Sequence, residues 1–155
     1  MNIDSILVQA RTVCSLQASS TKRAFEMAAK HIHQSEPTLE TRDIYRGLIE
    51  REKLGSTAIG NGVAIPHCRL DMCKDILGGL FLLKDPIDFL ALDEEPVNIM
   101  FVLLVPISET TEHLATLAML AEKFQVDEYS SKLRASENSA ELYERAISTL
   151  FTQKT

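Results

Sequence analysis

The stretch Val97-Asn98-Ile99-Met100-Phe101-Val102-Leu103-Leu104-Val105, closed by Pro106, constrains the fold more than any other part of the chain. A strand with one wet face alternates apolar and polar residues. This one does not, so it is expected to run through the middle of a sheet, buried on both faces, with helices covering each side. Its unbroken apolar part, Ile99 to Val105, is also far short of the about 20 residues a membrane helix needs.

The flanking segments supply that cover. Ser19, Ser20 and Thr21 offer capping hydroxyls for a helix to about Glu36, with Ala24, Phe25, Ala28, Ala29 and Ile32 at helical spacing and Pro37 as its stop. A second helix is expected from Thr41, as its cap, to Leu54, with Ile44, Leu48 and Ile49 inward and Gly55 in the left-handed position after its end. After the strands, a helix from Thr111 to Phe124 would bury Leu114, Leu117, Ala118, Ala121 and Phe124. A short piece follows near Glu128 to Arg134. The last helix begins near Asn138, with Glu141 placed for a capping box and Leu142, Ala146, Ile147 and Leu150 inward. Strand-like pieces lie at Val63 to Ile65, Ile76 to Leu83, Ile87 to Phe89 and Val97 to Val105, whereas residues 1–18 are ambiguous, Val13 and Leu16 being able to end a short strand. The expected fold is an α/β sandwich, a mixed sheet of about five strands flanked by helices, as a single domain over residues 1–155.

Composition excludes several functions. Hydrophobic residues at 45% and charged residues at 25% argue against disorder, a coiled coil or a fibre. Sixteen basic against 22 acidic residues leave a net charge of −6 with no basic patch, so nucleic acid is not an expected partner. Cys14, Cys68 and Cys73 are odd in number and lack C-x-x-C spacing, which points to neither a disulfide framework nor a zinc site. Met1-Asn2-Ile3-Asp4 lacks the basic-then-apolar order of a signal peptide. A cytoplasmic protein with no membrane insertion, cofactor or metal is the resulting expectation.

Four histidines carry the candidate chemistry. His31 and His33, two apart on a helix, point in different directions and are assigned no role. His67 follows Ile65-Pro66 at a strand mouth behind Gly55, Gly60 and Gly62. It is either a loop histidine bonded to a carbonyl, or a neutral imidazole able to attack phosphorus beside a glycine-built anion nest. His113 opens a helix and borders its apolar face, four residues before Leu117 and seven before Leu120. It is either a half-buried first-turn residue or a hydrogen-bond donor to phosphate assisted by the helix N-terminus. The glycine-rich turn is neither a P-loop nor a dinucleotide fingerprint, and no G-x-S-x-G or H-E-x-x-H is present. Asp93-Glu94-Glu95 reads as a solvated loop that could contribute to a partner contact.

Leu54-Gly55-Ser56-Thr57-Ala58-Ile59-Gly60-Asn61-Gly62-Val63-Ala64-Ile65-Pro66-His67 resembles the active-site stretch of phosphotransferase-system IIA proteins of the mannitol/fructose type, and within them the nitrogen-regulatory branch. Weaker similarity extends through Leu16–Ser20, Leu48–Glu52, Asp85–Phe89, Pro96–Pro106, Glu112–Leu114 and Leu133–Ala135. The resemblance implies a phosphocarrier: His67 accepts a phosphoryl group from an HPr-like carrier, and His113 helps hold the phosphoryl oxygens. Arg51 lies by the site, and Thr57 adds a hydroxyl or backbone contact. It further implies regulation of target proteins by phosphorylation state. The alternatives are a sugar-specific IIA component that serves a IIB domain, and a binding module that has lost phosphorylation. The last rests on one departure, Cys68 where relatives carry glycine, since a positive φ there would strain a side chain by about 1–2 kcal/mol.

Overall fold

The computed structural model describes residues 2–109 and 111–148. After two short 3-10 turns, the chain forms β1 (Thr12–Leu16), α1 (Thr21–Ser35), α2 (Thr41–Lys53), β2 (Ala58–Gly60), β3 (Val63–Ala64), β4 (His67–Leu70), β5 (Leu77–Ile87) and β6 (Val97–Pro106). Three helices follow, α3 (Glu112–Phe124), α4 (Asp127–Arg134) and α5 (Ser139–Ile147). One six-stranded sheet runs β1-β5-β6-β3-β2, with β4 also on β6. It is mixed: β5 is antiparallel to β6, while β3 and β4 are parallel to it.

The apolar run is the centre of this sheet. β6 pairs with β5 on one side and with β3 and then β4 on the other, and all its residues but Asn98 are buried. Met100, Val102 and Leu104 pack with Phe25, Ile32, Ile44 and Leu48 of α1 and α2. Ile99, Phe101, Leu103 and Val105 pack with Leu120, Phe124, Leu133 and Leu142 of α3, α4 and α5. The alternating side chains of one strand thus feed two cores. Each fully buried Leu, Ile or Phe contributes about 1.5–3 kcal/mol.

The strand count is six rather than the expected five. Ala58–Gly60, expected as part of a turn, pairs antiparallel with β3 as β2, and β4 is added, while two expected strands are one in β5. The chain pairs again beyond Pro66, because proline lacks only its own N–H while its carbonyl still accepts from Leu103 N at 2.9 Å. The segment ending at Ile87 is the far end of β5, across a register irregularity after Leu82. Helix α1 is capped as expected, Ser20 Oγ accepting from Arg23 N at 3.1 Å. Helix α2 starts one residue earlier than expected: Glu40 is the N-cap, no side chain caps it, and Thr41 is already helical. Gly55 follows α2 at φ 154°, a positive value well outside the left-handed helical well. In α5, Asn138 Oδ1 accepts from Glu141 N at 2.8 Å. The Glu141 carboxylate reaches back to Glu137 N at 3.0 Å, one residue before the usual capping-box partner. Leu150 lies outside the described residues.

Helix α3 is rotated relative to the expected face. Thr116, Leu120 and Phe124 are buried and Leu117 and Ala121 half-buried, whereas Ala118 is exposed and Leu114 is 59% exposed. Thr116 tolerates burial because its hydroxyl donates to the Glu112 carbonyl at 3.1 Å. The rotation turns the first-turn residue His113 inward.

Candidate active site

β3 ends at Ala64 and, past Ile65 and Pro66, β4 begins at His67, so the imidazole stands on an edge strand between the two helical layers. The α1–α2 layer covers one face and α3–α5 the other. An open cleft of about 440 Å³ lies here, lined by Arg51 and Leu54 from the end of α2, His67, Cys68 and Arg69 from β4, and His113 from α3. Arg51, His67 and His113 are separated by 62 positions in sequence, and the fold brings them to one opening.

His67 is half-buried and committed at both ring nitrogens. Its Nδ1 lies 2.7 Å from the Ile65 carbonyl oxygen. A carbonyl only accepts, so Nδ1 carries the proton and Nε2 holds the lone pair. That lone pair receives the Nε–H of Arg51 at 3.3 Å, and Arg51 Nη1 donates to the Gly55 carbonyl at 2.9 Å. Burial lowers the imidazole pKa, the bond to Ile65 opposes this, and the charges of Arg51 and His113 push it down again. The ring is neutral at pH 7, with its free electron pair at Nε2. The carbonyl bond expected of a loop histidine is present, and it leaves the ring's lone pair on Nε2.

His113 lines the cleft and is half-buried, with its Nδ1 enclosed and without a hydrogen-bond partner. The start of α3 offers less to an anion than the sequence suggests. The Glu109 carboxylate accepts from Thr111 N at 3.2 Å and Glu112 N at 2.7 Å, so those two N–H groups are already taken.

Thr57 stands one step behind the cleft. It is 6% exposed, and its N–H and hydroxyl both donate to the Glu52 carboxylate, at 3.0 and 2.7 Å. Its own carbonyl accepts from Ile65 N at 3.0 Å. The sequence marked Thr57 as a contact residue and assigned Glu52 no role, because nothing in their five-residue separation signals the bond.

The expected glycine nest is not at this site. Gly60, Asn61 and Gly62, at φ 92°, 58° and 73°, form the β2–β3 turn. Gly62 lies against Asn98, whereas His67 pairs with Leu103, so the turn is about 16 Å away along β6 at about 3.3 Å per residue. Asp93 takes the Asn61 N–H at 3.1 Å, while Arg134 donates to the Asn61 carbonyl and to Asn98 Oδ1. The glycines serve this braced turn, where an added Cβ at Gly62 would meet Arg134 Nη2 at 2.7 Å.

Cys68 does not disturb His67. It is not among the residues with positive φ but lies in regular β4, paired with Leu104. Its side chain turns to the α2 face, toward Gly47. Burial, then the nearby Cys73, push its thiol up to about 12, so it stays protonated and packs. His31 lies against Phe81 and His33 Nδ1 against the Leu39 carbonyl, both away from the cleft. Among the described residues no group of three or more His, Cys, Asp or Glu could hold a metal, and no helix is long and apolar enough to cross a membrane.

Residues 5–148 match the family model described as phosphoenolpyruvate-dependent sugar phosphotransferase system, EIIA 2. A nitrogen regulatory protein of Pseudomonas aeruginosa is 38% identical over 147 residues, 95% of this chain and 96% of that protein. The crystal structure of the nitrogen regulatory protein IIA-Ntr from Neisseria meningitidis superposes with a TM-score of 0.84 at 38% identity, covering 94% of this chain and 97% of that one. IIA mannitol from Escherichia coli shares the fold at a TM-score of 0.76 and 15% identity, over 90% and 98% of the two chains.

Proposed function

We propose that this chain, which belongs to the EIIA type 2 family of the phosphoenolpyruvate-dependent sugar phosphotransferase system, takes a phosphoryl group on His67 Nε2 and acts as a nitrogen-regulatory phosphocarrier. The observation that carries the reading is the fixed tautomer: the Ile65 carbonyl holds the proton on Nδ1 and leaves Nε2 nucleophilic toward an open cleft. The donor is a phosphohistidine on an HPr-like protein. As the P–N bond to Nε2 forms, the P–N bond of the donor breaks and its electron pair returns to the donor imidazole. Positive charge developing on the His67 ring falls at Nδ1–H, against the Ile65 carbonyl. One phosphohistidine replaces another, so the step is reversible and needs mainly alignment and charge stabilisation.

Arg51 has two successive roles. In the resting protein its Nε–H occupies the lone pair that must attack, through a long 3.3 Å bond. An incoming phosphoryl dianion competes for the guanidinium with charge-assisted bonds roughly twice as strong as neutral ones. Arg51 thereby releases Nε2 as it binds the phosphoryl oxygens. His113 lines the cleft from the opposite layer and adds a ring N–H to the phosphoryl oxygens. Thr57 supports from behind rather than through its hydroxyl, which Glu52 already holds.

A protein partner suits the site better than a small molecule. Leu54 on the rim is 84% exposed, and Ile107 and Met72 beside the neighbouring cleft are 51% and 58% exposed. Phosphorylation adds about −1.5 to −2 charge at this rim, enough to change which target proteins bind. The relatives named nitrogen regulatory protein favour this branch over a sugar-specific component. The reading takes 1–155 as one cytoplasmic unit that works without metal or cofactor. Incubation with phosphoenolpyruvate, the first enzyme of the system and the carrier should add one phosphoryl mass to wild type and none to His67→Ala. Equal labelling of both would refute the assignment.

A further inference from the structure

Glu52 and His67 do not touch, yet hydrogen bonds join them in a ring. The Glu52 carboxylate accepts from Thr57 N and Oγ1, the Thr57 carbonyl from Ile65 N, and the Ile65 carbonyl from His67 Nδ1. His67 Nε2 accepts from Arg51, whose chain neighbour is Glu52, so the ring closes through one peptide bond. No cation pairs with Glu52 among the described residues, and Thr57 alone accounts for the bonds its carboxylate receives.

We propose that Glu52 is a positioning residue for transfer at His67: by clamping Thr57 it fixes the Ile65 carbonyl that selects the imidazole tautomer. Both carboxylate oxygens grip one residue, which pins the backbone of Thr57 as well as its side chain. The β2–β3 hairpin passes that constraint to Ile65 through a single bond. The last turn of α2 therefore sets the imidazole twice, directly through Arg51 and from behind through Glu52. A carboxylate near the landing place of a dianion is electrostatically unfavourable for the reaction, so its service is geometric.

This proposal rests on His67 as the acceptor, and its test separates the two. Glu52→Gln keeps the shape but presents an NH2 to a donor, and Thr57→Val deletes the hydroxyl. Thr57→Ser retains it. Nitrogen-15 NMR of the unphosphorylated protein should show one His67 tautomer in wild type and Thr57→Ser, and a mixture in Glu52→Gln and Thr57→Val. In transfer assays with the phosphorylated carrier, kcat should fall about tenfold in the latter two, with KM within about twofold. A wild-type tautomer or an unchanged or raised kcat in folded Glu52→Gln would overturn the proposal, a raised rate meaning that the carboxylate only repels phosphate. If Glu52→Gln does not fold, the Thr57→Val and Thr57→Ser pair decides by the same criteria. Should wild type accept no phosphoryl group, the acceptor reading falls, and the tautomer comparison alone decides whether Glu52 holds the ring.

Discussion

Replacing Gly47 by alanine should damage the protein where helix propensity says the opposite. Gly47 lies inside α2, where alanine ordinarily gains about 1 kcal/mol. An added Cβ would stand 2.7 Å from Cys68 Sγ and 3.2 Å from Cys68 Cβ. Carbon contacts are comfortable at about 3.5–4 Å, so α2 and β4 must part by about 1 Å. Overpacking of that kind costs about 1–3 kcal/mol, leaving a net loss of about 1 kcal/mol. Arg51 is one turn on, on the same face, with its bond to His67 already at 3.3 Å. A displacement of about 1 Å there slows transfer by up to about 100-fold. Cys68→Gly removes both obstructing atoms. Urea unfolding of wild type, both single variants and the double variant forms a cycle whose coupling should be about 1–3 kcal/mol in favour of the pair. Additivity within about 0.5 kcal/mol, or a stabilised Gly47→Ala with undiminished transfer, would refute the packing argument.

The low pKa of His67 predicts a first-transfer rate that holds level through the ordinary value of 6.5 and declines only at more acidic pH; a midpoint above 6.5 in the rate profile would contradict it. By linkage, the neutral ring's contribution to stability is complete above about pH 6.5 and is lost as pH falls through the lower folded-state value, which urea midpoints against pH would show. His113→Ala should slow transfer or shorten the life of the phosphorylated form in a mass-shift time course while leaving His67 reactive; loss of folding would assign His113 to the core instead. Leu54→Asp should raise KM for the carrier with kcat and urea stability nearly unchanged, because the side chain is 84% exposed. Leu90→Gly should raise the melting temperature by about 1–4 °C in calorimetry, since Leu90 is 80% exposed and held at φ 56°.

The sheet and its helical cover were legible because burial on both faces leaves a mark in sequence. The Ile99–Val105 run has no polar position, and the α1 stripe from Ala24 to Ile32 repeats at helical spacing. The α3 face was misread because Thr116 counts as polar while its hydroxyl is satisfied within the helix, and Leu114 counts as apolar while it faces water. Of the site, His67 and His113 announced themselves by residue type and place, and the family resemblance supplied Arg51 and Thr57. The glycines misled for a physical reason: an anion nest and a braced hairpin turn require the same positive φ. Only the strand register and the carboxylate of Asp93 separate them, and neither is written in the local sequence. Glu52 gave no signal because its bonds go to Thr57, in the loop between α2 and β2.

The location of the imidazole follows from the sheet's ending. A histidine within β6 would be buried in one core or the other, and one on a free loop would have no fixed tautomer. Position 67 satisfies both requirements because Pro66, between β3 and β4, leaves its carbonyl to hold β6, so pairing resumes immediately at an edge. The Ile65 carbonyl, in the link between β3 and β4, lies 2.7 Å from Nδ1. The edge also has no further strand beyond it, so the ends of α2 and α3, which belong to opposite layers, can both reach the ring. Arg51 and His113 thus reach one cleft from the two sides of a single sheet, and the cleft's remaining side is open.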